Sequence, residues 1–309
     1  MKKILSILCG LFILVSSVFS VNVYAKKPIP IAMCLDDNYT LPTIVAMTSM
    51  LENVKEDTEY KYYLLVPGDF TEENKQKILS LKEKYKSKSF DINFIDMKND
   101  FKGAKTVGRW TLPMYYRLNL PGLLNEYNKC IYLDGDTVVN KDLSEFFNID
   151  LEDNYVGGVR AAGPGARFLK SIGLKPNNNY INSGVLLMNL KKLRDDRIED
   201  KFEWYAKNQK EKLICPDQDI LNVCCYGKVK VLPPKYSLME HALNSKYYLS
   251  SYGKVQNDEA FRDPMVIHYA ASKFKPWKSL WSSFAEKWWE YAIKSGFYDK
   301  IPESLKMEK

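Results

Sequence analysis

The sequence predicts an α/β fold with a mostly parallel central sheet flanked by helices. Three observations carry that prediction. Short, almost continuously apolar runs alternate with stretches of helical apolar periodicity through the first half of the chain. That strand–helix rhythm is the pattern of crossover connections between parallel strands. Two acidic clusters, Asp36-Asp37 and Asp134-Gly135-Asp136, each close one of the apolar runs. Ligands of open α/β sheets bind beyond the carboxyl ends of strands, where these clusters would lie.

Residues 30–35 form the first predicted strand, which leads into the polar loop Asp36-Asp37-Asn38. Thr40 is the expected cap of a helix on which Leu41, Ile44, Val45, Thr48 and Leu51 share one face. Residues 62–66 are a second strand, closed by Pro67-Gly68. Thr71 opens a second helix with Ile78, Leu81 and Tyr85 on one face, and residues 90–95 alternate like a strand. Residues 113–124 read as a further helix, and the apolar run 129–133 ends at Asp134-Gly135-Asp136. In the second half, 155–159 and 180–188 read as strands. Gly157-Gly158 and Gly163-Pro164-Gly165 predict bends and a mobile loop. Asp217-Gln218-Asp219 opens a helical stretch through Cys225, and 265–268 is a short strand. A Trp-rich helix is expected near 281–291, with Trp281, Trp288 and Tyr291 spaced for packing. No repeat or linker divides the chain, so residues 28–309 are expected to form one domain.

Hydrophobic residues make up 46% of the 309, ample for a buried core without a disorder signature. The net charge of +7 comes from lysines interleaved with Asp and Glu, which suits a solvated surface. No Arg-rich stripe or nucleic-acid module appears, so a nucleic-acid partner is not expected. Met1-Lys2-Lys3, the apolar run 4–23 and Val23-Tyr24-Ala25 before Lys26-Lys27 fit a signal peptide over residues 1–25, cut after Ala25. The run is also close to the ~20 residues that span a bilayer, so an uncleaved anchor with membrane association is the alternative. Both place the remaining chain outside the cytoplasm: secreted, periplasmic or in a secretory lumen. After Cys9 an odd set of five cysteines remains, without disulfide-framework or zinc-ribbon spacing.

Asp134-Gly135-Asp136 carries the strongest chemical signal. Two carboxylates at a strand end, separated by glycine, suit Mg²⁺ or Mn²⁺, which take oxygen ligands and keep positions open for phosphates. Taken alone, the triplet also makes ordinary turns. Likewise Asp36 and Asn38 fit a helix-capping loop, and Asp217 a helix cap. Asn182, in an apolar run, needs a hydrogen-bond partner.

The run Tyr132-Leu133-Asp134-Gly135-Asp136-Thr137-Val138-Val139 resembles glycosyltransferase family 8, which includes bacterial lipopolysaccharide galactosyl- and glucosyltransferases and glycogenin. Further segments resemble the family in the same order. They are Asp36-Asp37-Asn38-Tyr39; Arg117 in Tyr115-Tyr116-Arg117-Leu118; Tyr180-Ile181-Asn182-Ser183-Gly184; Asp217-Gln218-Asp219; and His268-Tyr269 followed by Lys275-Pro276-Trp277. The resemblance implies a retaining hexosyltransferase with a Rossmann-like GT-A fold, a UDP-sugar donor, and Mn²⁺ (or Mg²⁺) held by Asp134, Asp136 and His268. It divides the chain into a nucleotide-binding half (about 28–140), a donor and acceptor half (about 141–280) and a C-terminal helical segment (about 281–309). Asp36, Asn38 and Tyr39 would hold the uridine, with Gly135 beside the phosphates. Arg117, Asn182 and Asp217 would contact the donor sugar. Lys275 would neutralise the diphosphate, with Lys273 as alternative because the spacing from His268 is one residue longer than the family's. Gln218 would lie nearest the reacting face. An amide is a poor nucleophile, so same-face attack by the acceptor is expected, with Gln218 supporting the cationic centre.

The acceptor, whether glycan, lipid-linked saccharide or protein, is not specified. Many relatives carry an aspartate where this chain reads Gly157-Gly158-Val159-Arg160-Ala161-Ala162. That departure leaves the donor sugar open and keeps a non-catalytic sugar-binding protein as the alternative. A nucleotidyltransferase would show a Gly-rich phosphate loop near the N-terminus, and Asp36-Asp37-Asn38-Tyr39 is not one.

Overall fold

The computed structural model describes residues 27–98, 100–101, 103–104, 106, 111–162, 166–175, 179–243, 246–279 and 281–300. The leader expected over residues 1–25 and the loop expected at Gly163-Pro164-Gly165 lie outside them. None of the described helices is long and apolar enough to cross a membrane.

The strands are β1 (Ile29–Cys34), β2 (Tyr60–Val66), β3 (Phe90–Asp96), β4 (Cys130–Leu133), β5 (Thr137–Val139), β6 (Val156–Arg160), β7 (Ile181–Met188), β8 (Val229–Val231) and β9 (Val266–His268). Seven form the central sheet in the order β3-β2-β1-β4-β7-β6-β8. Only β7 runs antiparallel to its neighbours. β1 lies inside the sheet, with Ile31 opposite Tyr62 on one side and Ile131 on the other, and is buried at every position. Burial on both faces is why it reads as an unbroken apolar run.

The chain leaves β1 towards β2 and β3, then returns to lay β4 on the other side. This reversal is the switch point at which α/β sheets open a crevice, and Asp36 and Asp134 follow the two strands that flank it. Because β7 is antiparallel, its first residues reach the same rim. Leu133 pairs with Val185, and the Asp134 N–H donates to the Gly184 carbonyl at 2.7 Å. A second, two-stranded sheet pairs β5 with β9, setting Thr137 opposite His268.

Several sequence expectations change. Helix α1 (Thr40–Asn53) is buried along nearly its whole length rather than on one face, because it packs against β5 and the C-terminal helix Ala285–Ser295. Its polar residues are used inside: Ser49 accepts from the Val139 N–H at 2.9 Å, and Asn53 donates to the Val139 carbonyl at 3.0 Å and the Tyr291 hydroxyl at 2.7 Å. Thr40 is the first residue of α1, not its cap; Tyr39 stands at the cap position without a side-chain bond, and Asp36 caps the 3₁₀ turn Asp37–Tyr39 before it, accepting from the Asn38 N–H at 3.1 Å. Helix α2 (Glu72–Lys84) buries Ile78 and Leu81 as the pattern requires.

The helix expected over 113–124 is broken into Pro113–Tyr116, a 3₁₀ turn Arg117–Asn119, and Leu120–Leu123. Pro121 has no N–H for the Arg117 carbonyl, which accepts from Leu120 instead. Gly157 and Gly158 do not bend the chain away; they lie inside β6, which carries a register shift between Gly158 and Arg160. A Cβ on either would press into Leu151 or Ile181. The Trp-rich helix starts late, at Ala285, so Trp281 stands outside it and is 73% exposed. Glu240 accepts from Ser282 Oγ at 2.8 Å and from Ser283 Oγ at 2.6 Å, which holds the preceding segment off the helix.

Candidate active site

The carboxyl ends of β1 and β4, the start of β7 and the β9 edge surround one cavity of about 480 Å³. Asp134, Asp136 and His268 meet in its wall, with one ligand atom from each lying within 4.8 Å of the others. β4 ends directly at Asp134, and the β5–β9 pairing delivers His268 from the far end of the sequence. His268 Nε2 lies 3.3 Å from Asp136 Oδ1 and 3.6 Å from Asp134 Oδ2. Asp134 Oδ1 is already engaged by the Tyr132 hydroxyl at 2.7 Å and by Arg117 at 2.9 Å, so Oδ2 is the oxygen turned to the histidine. Asp136 is 5% exposed, and its Oδ1 is buried without a hydrogen-bond partner among the described residues. A carboxylate oxygen left this way needs a compensating charge. One imidazole nitrogen with two carboxylate oxygens suits a transition ion such as Mn²⁺. These residues fit a divalent cation.

The gathering needs two glycines. A Cβ on Gly184 would overlap the His268 ring and the Asp134 carboxylate, and one on Gly135 would overlap the Thr43 hydroxyl of α1. Both have ordinary backbone angles among the described residues, so close approach rather than turn geometry demands them.

Arg117 ties the site together from beneath. Its guanidinium lies over the Tyr132 ring at 4.3 Å, donates to the Ser183 carbonyl at 2.6 Å, and pairs with Asp134 and with Asp217 at 3.3 Å. Burial disfavours its charge, but Asp134 and Asp217 outweigh that and hold its pKa above the usual arginine value. Burial raises the Asp217 pKa, against Arg117 and the Ser183 hydroxyl, which donates to it at 2.8 Å.

Lys275 lies 3% exposed beside the triad. It pairs with Asp136, donates to the Tyr269 carbonyl at 3.1 Å, and sits 5.5 Å from the Tyr39 ring and 5.3 Å from the Trp277 ring. Burial opposes ionisation of Asp136, yet Lys275 and then His268 hold its carboxyl well below the usual range. Lys273 lies over Phe274 and Trp281 and does not line the cavity. Beyond the end of β1, Asp36 accepts from the Thr111 hydroxyl at 2.9 Å. Tyr39 lines the cavity beside it, while Asn38 is exposed and does not.

Gln218 and Asn182 also line the cavity. Asn182 Oδ1 accepts from the Gly184 N–H at 2.9 Å, and its Nδ2 donates to Gln218 Oε1 at 3.0 Å. Gln218 Oε1 also accepts from the Ser183 N–H at 3.2 Å, and Gln218 Nε2 donates to the Tyr180 hydroxyl at 3.1 Å. Tyr180 in turn donates to the buried Asp219.

Of the residues expected from sequence, only Asn38 and Lys273 stand off the cavity. Sequence reasoning gave no separate role to Tyr132, Tyr180, Ser183, Gly184 or Asp219. All lie within the recognised motifs, but only their contacts across strands disclose their roles. Cys34 also lines the cavity; burial pushes its thiol up to about 12, which makes it unreactive. Ala161 and Ala162, in the segment that lacks the family's expected aspartate, line the cavity.

Residues 30–280 match the family model described as glycosyl transferase family 8. The chain is 27% identical over 255 residues to General stress protein A of Bacillus subtilis (strain 168), spanning 81% of this chain and 87% of that protein. It is 32% identical over 206 residues to a putative glycosyltransferase of Haemophilus influenzae, spanning 65% and 61%. It is 28% identical over 264 residues to an Escherichia coli lipopolysaccharide 1,2-glucosyltransferase, spanning 81% and 73%. Among solved structures, the galactosyltransferase LgtC in complex with donor and acceptor sugar analogs is similar at a TM-score of 0.73 and 27% identity, over 89% of this chain and 98% of that one.

Proposed function

The chain belongs to glycosyltransferase family 8 and has the GT-A fold, and on that premise we propose that it transfers a hexose from a UDP-sugar to a saccharide-bearing acceptor, with retention and with Mn²⁺. The observation that supports this reading is the convergence of Asp134, Asp136, His268 and Lys275 on one wall of one cavity. Asp134 Oδ2, Asp136 Oδ1 and His268 Nε2 would hold the ion. Bound there, a divalent cation supplies Lewis-acid neutralisation of the charge that grows on a leaving diphosphate.

The remaining work falls to the chain's own groups. Lys275 brings a second positive charge to the same wall, fixed in place before the reaction begins. Asp36 and Tyr39 form the nucleotide end, and Arg117, Asn182 and Asp217 the sugar end. Retention needs either a covalent sugar–enzyme intermediate or attack on the face the diphosphate leaves, and we favour the second. The N-terminal residues 1–25 fit an export signal or anchor, which on this reading sets the enzyme outside the cytoplasm.

UDP release from a panel of UDP-sugars, with and without Mn²⁺, tests the proposal. Release from one donor that requires Mn²⁺ and falls at least about 100-fold in Asp136→Asn is expected, a loss on the scale of removing a key electrostatic group. Silence across the panel, together with no Mn²⁺-dependent UDP binding, overturns it.

A further inference from the structure

The hydrogen-bond chain around Gln218 fixes which end of its amide the substrate meets. Amide oxygen and nitrogen are interchangeable in shape, so their placement must come from partners whose polarity cannot change. Two backbone N–H groups meet that condition, and a hydroxyl facing an ionised carboxylate adds a third constraint. The Ser183 backbone N–H can only donate, so the amide atom 3.2 Å from it is the oxygen. The Gly184 N–H likewise fixes Asn182 Oδ1, which leaves Asn182 Nδ2 to donate to that same Gln218 oxygen at 3.0 Å. At the other end, Tyr180 gives its only hydroxyl proton to Asp219. It therefore accepts from Gln218, and the atom 3.1 Å from it is the nitrogen. Asp219 is itself fixed in place. It is fully buried, and its other oxygen accepts from the Ile214 and Cys215 N–H groups at 2.8 and 2.9 Å.

All three constraints agree. Both lone pairs of the Gln218 carbonyl are engaged, and one Nε2 hydrogen is engaged. What the amide has left is its second N–H, on a residue that lines the cavity. We infer that Gln218 meets the bound sugar as a hydrogen-bond donor to a sugar oxygen, and that Tyr180 and Asp219 are positioning residues that impose this orientation. The inference rests on the transferase reading and deepens it. A carbonyl with both lone pairs engaged is not placed to attack the anomeric carbon or to face a cationic centre, which revises the role expected for Gln218 from sequence.

Tyr180→Phe removes the acceptor for Gln218 Nε2 and keeps the ring. Asp219→Asn turns an amide N–H towards Tyr180 and reverses the polarity of the chain. In the full chain at about pH 8, each is expected to lower kcat/KM for the donor by about tenfold, the effect of one hydrogen bond on a rate. The affinity for UDP alone should not change. In a Gln218→Ala background neither should have any further effect, because both act through Gln218. A general structural role would lower UDP affinity and remain additive with Gln218→Ala, and that result overturns the inference. So does wild-type turnover that Tyr180→Phe leaves untouched.

Absence of turnover in the wild type would instead count against the function itself. The orientation would then be read by NMR on glutamine-labelled protein, with Gln218→Ala identifying the resonance. One side-chain N–H of Gln218 should shift in Tyr180→Phe, and no shift overturns the inference.

Discussion

A methyl group on Gly184 would sit against the His268 ring and the Asp134 carboxylate. Relieving that overlap means moving a side chain of the proposed metal site, at a cost of about 1–3 kcal/mol for overpacking. Gly184→Ala should therefore weaken Mn²⁺ affinity by roughly 10- to 100-fold with little change in fold, as calorimetric titration would reveal; unchanged affinity would mean the triad does not hold the ion. Asp219 gives a second residue-scale prediction. Burial raises its pKa to about 6, against the hydrogen bonds from Tyr180, Ile214 and Cys215. A carboxyl that binds its proton more tightly when folded gives stability that is complete below its unfolded pKa near 3.9 and lost as pH rises through about 6. Between about pH 4 and 7 the wild type should thus lose up to about 3 kcal/mol relative to Asp219→Asn; parallel denaturation profiles would contradict this. At this scale Asp134, Asp136 and His268 were legible because their chemistry is local to motifs. Gly184 was not, since its necessity arises from the approach of His268, which lies far away in sequence on β9.

At the scale of elements, α1 shows how a buried helix can carry polar groups. Asn53 donates to the Val139 carbonyl and the Tyr291 hydroxyl, joining α1 to β5 and to the C-terminal helix. Asn53→Ala leaves these groups without that donor and should cost about 1–3 kcal/mol in urea denaturation; a loss below about 0.5 kcal/mol, the level of an ordinary surface change, would show that water replaces it. The strands β1, β2, β3, β4 and β7 were legible to within a residue or two: β1 and β4 because burial at every position leaves an apolar run, and β3 because its apolar residues alternate. The segment 113–124 was not, because its apolar spacing continues past Pro121 and hides the missing N–H. Trp281 was misplaced for the opposite reason: its spacing suited a helix, but Glu240 holds the neighbouring serines in a turn.

For the molecule as a whole, the strand–helix rhythm disclosed the sheet but not its order. An apolar run does not record direction, so nothing local marked β7 as antiparallel, although that reversal brings Asn182 and Gly184 to the rim. The C-terminal helix is linked to the site through aromatic contact. Trp288, 1% exposed, lies 5.2 Å from the Trp277 ring that flanks Lys275. Trp288→Ala should lose about 3–5 kcal/mol and weaken UDP binding as well; lowered stability with intact UDP affinity would show that the helix only packs. The central claim is that distant strands assemble one metal-dependent transfer site. The measurement that tests it most directly is UDP-sugar turnover against Mn²⁺ concentration for the wild type and His268→Ala. The account predicts saturable Mn²⁺ dependence in the wild type and turnover at least about 100-fold lower in the folded variant. Equal turnover in the two proteins, or turnover indifferent to a chelator, would contradict it.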